Sequence, residues 1–243
     1  MSGPISGAGT SESVWSAWID HMQFPDLPLD ELAEPLVVVA PHPDDEVLGV
    51  GGLLALLARR GLAATVVAVT EGEAFAGPPD PATALGRAQL RARERRRAFS
   101  QLGARPRQLV RLGLADGRVW EVVERLEGAL EELASPGSTL LAPMRLDGHP
   151  DHEASAAAAL AVARRQGARL LQYPVWLWHW ALPADPLVSW PRARVAHLPD
   201  WARDAKQRAI GEFASQLEGG AEGAVLPPQV VDHFLRPHEL LFV

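Results

Sequence analysis

Short apolar runs alternate along this chain with longer amphipathic ones. "PLVVVAP" (35–41) is β-branched, too short for a helix and bracketed by prolines, so it reads as a buried strand. "EVLGVGGLLALLARRG" reads as a helix: aspartates stand ahead to cap it, its leucines fall on one stripe, and Gly61 holds the C-cap position. "ATVVAVT" (64–70) is a second buried strand, and "EGEAFAGPPDPAT" a loop. A long helix is predicted from Leu85 to Leu102, stopping at Gly103. "RQLVRLGL", "STLLAPM" and "ARLLQYPVW" continue as strands, separated by the helices "RVWEVVERLEGALEELA" and "DHEASAAAALAVARRQG". Strands and helices in this alternation imply right-handed crossovers and a mainly parallel sheet covered on both faces. The expected fold is an α/β, Rossmann-like three-layer sandwich.

Residues 1–33 read as an N-terminal extension: the small, polar "MSGPISGAGTSES", then an amphipathic or irregular segment whose Trp15, Trp18 and Phe24 lean on the main domain. Residues 34–243 read as a single α/β domain whose segment 175–243 is less regular, with a helix from Asp200 to Leu217 and a final apolar "ELLFV". Trp176, Trp178 and Trp180 alternate with Leu177 and His179 as in a strand. Core or subunit packing is their expected role, with an aromatic wall for a sugar, acyl or aglycone group as the alternative. Gly49, Gly51 and Gly52 fall inside a helix with no GK[ST] after them, which favours close helix packing over a phosphate-binding turn.

Composition narrows the function classes. A net charge of −7 argues against a nucleic-acid partner. The arginine run between Arg87 and Arg107 is spread around a helix that also carries Glu94, as on a solvated face. With no cysteine, any metal must be held by His, Asp or Glu. No apolar run approaches membrane-spanning length and the start lacks a secretory pattern, so a soluble, cytoplasmic protein with no membrane partner is expected.

Two polar clusters stand at predicted strand ends, where open α/β sheets bind ligands. His42, Asp44, Asp45 and Glu46 follow the first strand, and "DGHPDH" (147–152) follows the fourth. Two imidazoles and one carboxylate around Zn²⁺ leave a coordination position for water, which makes hydrolysis the natural reaction class. Glu46, in the first turn of a helix, suits a supporting or capping position better than a ligand position.

"PHPDDE" and "DGHPDH" resemble the paired signatures of the PIG-L/LmbE-like deacetylases, zinc-dependent enzymes that remove the acetyl group from N-acetylglucosaminyl conjugates. The resemblance extends through "TEGEA", Arg91 and Glu94 followed by "LGA", "LGLADG", "APMRLDGHPDH" and "AIGEFASQL", covering most of residues 36–220. It implies His42, Asp45 and His152 as zinc ligands, with Fe²⁺ as an alternative metal, and Asp44 as the general base. It implies His149 at the carbonyl oxygen and the leaving amine, Asp151 holding the His149 ring, and Arg91 and Asp116 contacting the sugar or its phosphate. Tyr173, the sole tyrosine, has no such place at the carbonyl. The expected activity is zinc-dependent removal of an N-acetyl (or other N-acyl) group from a small-molecule amino-sugar conjugate. A non-catalytic metal- or glycan-binding member is the alternative, and the tryptophans and apolar C-terminus leave room for a homo-oligomer.

Overall fold

In the computed structural model, which describes residues 7–32, 34–77, 79–218 and 223–243, the apolar runs pair side by side. The first six residues of the polar start, and residue 33 at the expected domain boundary, lie outside those described. Strands β1 (Leu36–Ala40), β2 (Thr65–Thr70), β3 (Gln108–Leu114), β4 (Thr139–Pro143) and β5 (Arg169–Tyr173) are parallel, and β6 (Ala193–His197) and β7 (His238–Phe242) complete a seven-stranded sheet of order β3-β2-β1-β4-β5-β7-β6. The last two run antiparallel to their neighbours. The connecting helices are α1 (Glu12–Met22), α2 (Asp45–Arg59), α3 (Pro81–Leu102), α4 (Val123–Leu133), α5 (Pro150–Gln166), the single turn α6 (Leu177–Trp180) and α7 (Asp200–Ile210).

Strand alternation divides the core in two. Val38, Ala40, Val66 and Leu141 share one apolar cluster with Leu53 of α2, Phe99 of α3 and Ile210 of α7. Val37, Val39, Val67 and Leu140 face the other way, onto Leu126 and Leu130 of α4 and Val162 of α5. The expected three-layer sandwich is what forms, because strands apolar at every position bury both faces. β1 lies between β2 and β4, so the chain leaves β1 toward one edge of the sheet and β4 toward the other. The crevice at such a switch point is where an open α/β sheet binds ligands. Among the described residues, no helix is long and apolar enough to cross a membrane.

Several elements differ from the sequence reading. α3 begins at Pro81 rather than Leu85, because Asp80 caps it by accepting from the N–H groups of Ala82 and Thr83 and proline suits the first helical position. The helix expected over Asp200–Leu217 ends at Ile210, and a separate turn covers Ala214–Leu217. The tryptophan stretch is a helical turn, not a strand: the N–H groups of Val175, Trp176 and Leu177 all donate to the Asp147 carboxylate, which organises the turn from a distance. Trp178 packs edge-to-face with Trp15, whose indole Nε1–H donates to the Trp178 carbonyl at 2.7 Å, so this tryptophan belongs to the core.

Helix α2 breaks at Val50 (φ −138°, ψ 19°), within the glycine cluster. The N–H groups freed at Gly52 and Leu53 donate to the two carboxylate oxygens of Glu239 on β7, at 2.7 and 2.8 Å, and Lys206 Nζ donates to the same carboxylate at 2.7 Å. The glycines serve packing, as expected: a Cβ at Gly49 would meet the Tyr173 ring at 2.1 Å, and one at Gly52 would meet Leu198 at 2.4 Å. Replacing Glu239 with Ala leaves the buried Lys206 unpaired and two helix donors unsatisfied. A loss of about 3–5 kcal/mol is expected, measured by urea unfolding; a loss below about 1 kcal/mol would refute this role.

Candidate metal centre and active site

The β1–α2 junction turns sharply, with the N–H groups of Asp44 and Asp45 both directed at the His42 carbonyl. Arg95 holds this turn from α3, donating to the His42 carbonyl at 3.1 Å and to Glu46 Oε1 at 2.7 Å. Glu46 is thus a buried ion-pair partner that supports the turn. The β4–α5 junction places His149 at the N-cap of α5, where its Nδ1 accepts the N–H of Asp151 at 3.2 Å. The first turn of α5 carries His152, fully buried.

These junctions bring three atoms together. His42 Nδ1, His152 Nε2 and Asp45 Oδ2 form a triangle whose three edges are each 3.2 Å. Ligands about 2.0–2.1 Å from a tetrahedral zinc stand about 3.3 Å apart, which matches. The outer nitrogens decide the tautomers. His152 Nδ1 lies 2.7 Å from Asp147 Oδ2, so that nitrogen carries the proton. His42 Nε2 lies 3.2 Å from both Asp116 Oδ1 and Asp151 Oδ2 and likewise carries its proton. With those outer nitrogens protonated, each ring in its neutral form turns a lone pair toward the Asp45 carboxylate oxygen, an arrangement suited to a cation, whether a metal or a proton, at the centre. Carboxylates behind the imidazoles are the usual support of a metal-binding histidine. The donor set fits a divalent metal such as zinc or ferrous iron.

The electrostatics agree. Burial lowers the pKa of His42, but hydrogen bonds with Asp116, Asp151 and Asp45 outweigh it and hold it well above the ordinary histidine value. For His152, burial is outweighed by Asp45 and Asp147, and the value rises to about 9. Burial also works against ionised Asp45, yet His152 and His42 keep its pKa well below the carboxylate range. Without a metal, protons supply the positive charge that the cluster demands.

His149 differs. Burial, then the nearby His42 and His152, lower its pKa to about 3, so it is neutral. Because Nδ1 accepts from the Asp151 backbone, the proton sits on Nε2. Its ring centroid is 4.7 Å from that of His42 and 4.9 Å from that of His152, which sets this donor beside the triangle.

Asp44, 5% exposed, makes no capping bond to α2, contrary to the sequence reading, because its Oδ2 pairs with Arg91 at 2.9 Å. Burial pushes its carboxyl pKa up, Arg91 pulls it down, and the net shift is upward. The structure also corrects Asp151: its carboxylate accepts from the N–H groups of Gly117 and Val119 and faces His42, so it is the Asp151 main chain, not its side chain, that holds the His149 ring. Asp116 joins His42 Nε2 to the N–H of Ala74, which its Oδ2 accepts at 2.8 Å. Burial raises its pKa, but His42 more than compensates and brings it to about 2.

Sequence reasoning quoted Asp147 without assigning it a role. Its carboxylate takes His152 Nδ1 and three successive backbone donors, a convergence that only the fold creates. Asn offers a single acceptor oxygen, so Asp147→Asn is expected to weaken metal binding about 10–100-fold. Competition with a chromophoric chelator measures this, and unchanged affinity would mean that Asp147 does not support His152.

The cluster opens into a cavity of about 400 Å³ whose lining includes His42, Asp44, Asp45, Arg91, Asp116 and His149. A larger groove of about 570 Å³, between α3 and β3, is lined by arginines and holds none of the clustered histidines and aspartates, so chemistry rather than size identifies the site. Tyr173 does not line this cavity: its hydroxyl donates to the Val39 carbonyl.

No curated protein matches the chain. Among solved structures it resembles the conserved protein TT1542 from Thermus thermophilus (29% identity, 74% of this chain and 79% of that one, TM-score 0.53). It also resembles the N,N'-diacetylchitobiose deacetylase from Pyrococcus horikoshii (19%, 87% and 82%, TM-score 0.56) and the A40926 pseudoaglycone deacetylase Dbv21 (24%, 85% and 95%, TM-score 0.57). At those identities the two deacetylases are likenesses of fold. The family model described as PIG-L, GlcNAc-PI de-N-acetylase, matches residues 37–163, more than half of the chain and both histidine–aspartate junctions, and the chain belongs to that family.

Proposed function

We propose that this protein is a divalent-metal-dependent hydrolase, with zinc the expected metal, that removes an N-acetyl group from an amino-sugar conjugate. The observation that carries the reading is the triangle of bare donors at 3.2 Å on His42, Asp45 and His152. Family membership and the deacetylases among the structural neighbours support it. A metal bound to these three residues would polarise the amide carbonyl and acidify a water.

The residues around the triangle divide the remaining work. Asp44, with its upward-shifted pKa and its place on the cavity wall, takes a proton from the attacking water. As the C–N bond breaks it returns that proton to the amine nitrogen, and the second proton of the water passes from the nascent acetic acid to the amine, so water and amide become acetate and an ammonium group. His149 donates its Nε2–H to the developing oxyanion. Its depressed pKa suits a neutral hydrogen-bond donor, which narrows the sequence expectation that it also protonates the amine. Arg91 holds Asp44 in place, and Arg91 and Asp116 offer polar contacts to a sugar along the cavity wall.

The test is amine release from a panel of N-acetylglucosamine derivatives, with metal-loaded and chelator-treated protein side by side. Release that depends on metal is expected. Equal release after complete chelation would contradict the metal-dependent reading.

A further inference from the structure

Beside the clustered histidines and aspartates, the cavity is lined by the apolar side chains of Leu48, Phe75, Val175, Trp176, Val225 and Leu226. Leu48, Val175 and Leu226 are buried, whereas Phe75, Trp176 and Val225 are half-buried and form the rim. Gln216 also lines the cavity, with its amide nitrogen donating to Ser215 Oγ at 2.9 Å; the six apolar side chains themselves offer no hydrogen-bonding group beyond the Trp176 indole N–H.

The apolar rim is held rigidly. Arg87 donates to the carbonyls of Glu73, Ala76 and Gly77 and lies over the Phe75 ring, 5.1 Å from its centroid. Asp116 fixes the N–H of Ala74, next to Phe75, and the same carboxylate backs His42. Asp147 likewise fixes the N–H of Trp176 and backs His152. Each metal-binding imidazole is thus tied through one carboxylate to the main chain of one apolar wall. Walls fixed in this way present their apolar surface without an ordering cost on binding.

We infer that the substrate carries an apolar group of several carbons beside the scissile amide, and that Phe75, Trp176 and Leu226 select for it. This inference rests on the proposed deacetylase reading and specifies its substrate. A second sugar laid on these walls strips water from hydroxyls that find no partner, which costs affinity, whereas a hydrocarbon or aryl group gains by leaving water. The apolar group enters either as an aglycone on the sugar or as a longer acyl chain on the nitrogen, and the two routes are separable by experiment.

The test compares kcat/KM for N-acetylglucosamine, N,N'-diacetylchitobiose, octyl and aryl β-glycosides of N-acetylglucosamine, and N-hexanoylglucosamine. Calorimetry on metal-loaded protein gives the binding of each independently of turnover. Either the glycosides or the hexanoyl amide is expected to exceed diacetylchitobiose by about tenfold or more, in kcat/KM and in affinity, consistent with the discrimination that an apolar pocket gives. Preference for the glycosides assigns the walls to an aglycone, and preference for the hexanoyl amide assigns them to an acyl chain. In Phe75→Ser and Leu226→Gln proteins the ratio to diacetylchitobiose is expected to fall to about threefold or less. Diacetylchitobiose turned over or bound as well as the apolar derivatives overturns the inference and leaves the deacetylase reading standing. Selective binding of the apolar derivatives with no amine released from any compound overturns the deacetylase reading instead.

Discussion

Replacing Asp44 with Asn is expected to lower kcat about 10²–10⁴-fold, the range lost when a general base is removed, while the zinc content of the purified protein stays at its wild-type value. The separation of effects follows from the geometry. Asp44 lies next in the chain to Asp45, yet Asp45 Oδ2 completes the donor triangle and Asp44 turns away to Arg91. Asn keeps an oxygen for the Arg91 guanidinium, so the buried arginine is not stranded and the fold survives. What Asn lacks is a group able to take and return a proton. Near-wild-type turnover would place the base elsewhere, and loss of zinc would show that Asp44 and Asp45 had been assigned the wrong way round.

His152→Ala is expected to abolish stable metal binding, a loss well beyond the 10–100-fold that removal of a supporting carboxylate causes. The ring is fully buried and bridges Asp147 to the triangle, and without it a single imidazole and a carboxylate remain. Three backbone donors still hold the Asp147 carboxylate, so the turn over Trp176 is retained. Metal analysis after dialysis gives the answer, and undiminished zinc would mean that the ligand set is wrong. The wild-type site also has a pH signature. The His152 pKa is raised to about 9, so in metal-free protein its stabilising contribution is complete below the unfolded value near 6.5 and is lost as pH rises toward 9. Metal binding must expel that proton and strengthens over the same interval. The gap in Tm between metal-loaded and chelated protein should therefore widen from about pH 6 to about pH 9; a constant gap would contradict proton–metal competition at His152.

How much of this was legible in the sequence depended on whether the signal was local. "VVVA" and "TVVAVT" are apolar at every position, which admits little but a central parallel strand, and the two histidine–aspartate clusters directly follow such strands. Their convergence could be read because sheet topology brings the ends of β1 and β4 side by side. Partners supplied from elsewhere could not be read. Asp147 resembles any turn aspartate until His152 and the N–H groups of residues 175–177 close around it. Glu239, close to the C-terminus, gives no hint that it caps a break in α2 far back in the chain. "VWLWHW" is too uniformly apolar for periodicity to distinguish strand from helical turn, and a long-range carboxylate decided it. Asp151 was assigned to His149, two residues before it, whereas the fold turns its carboxylate to His42 and to the Gly117–Val119 loop.

The most direct measurement is a titration of chelator-stripped protein with Zn²⁺, following amine release from an N-acetylglucosaminide that the loaded enzyme accepts. Activity absent at the start, rising linearly and reaching its plateau at a single equivalent of metal per chain, is the result that a catalytic centre on His42, Asp45 and His152 predicts. Full activity in stripped protein, or a chain loaded with one equivalent that releases no amine from any N-acyl amino sugar, would contradict it.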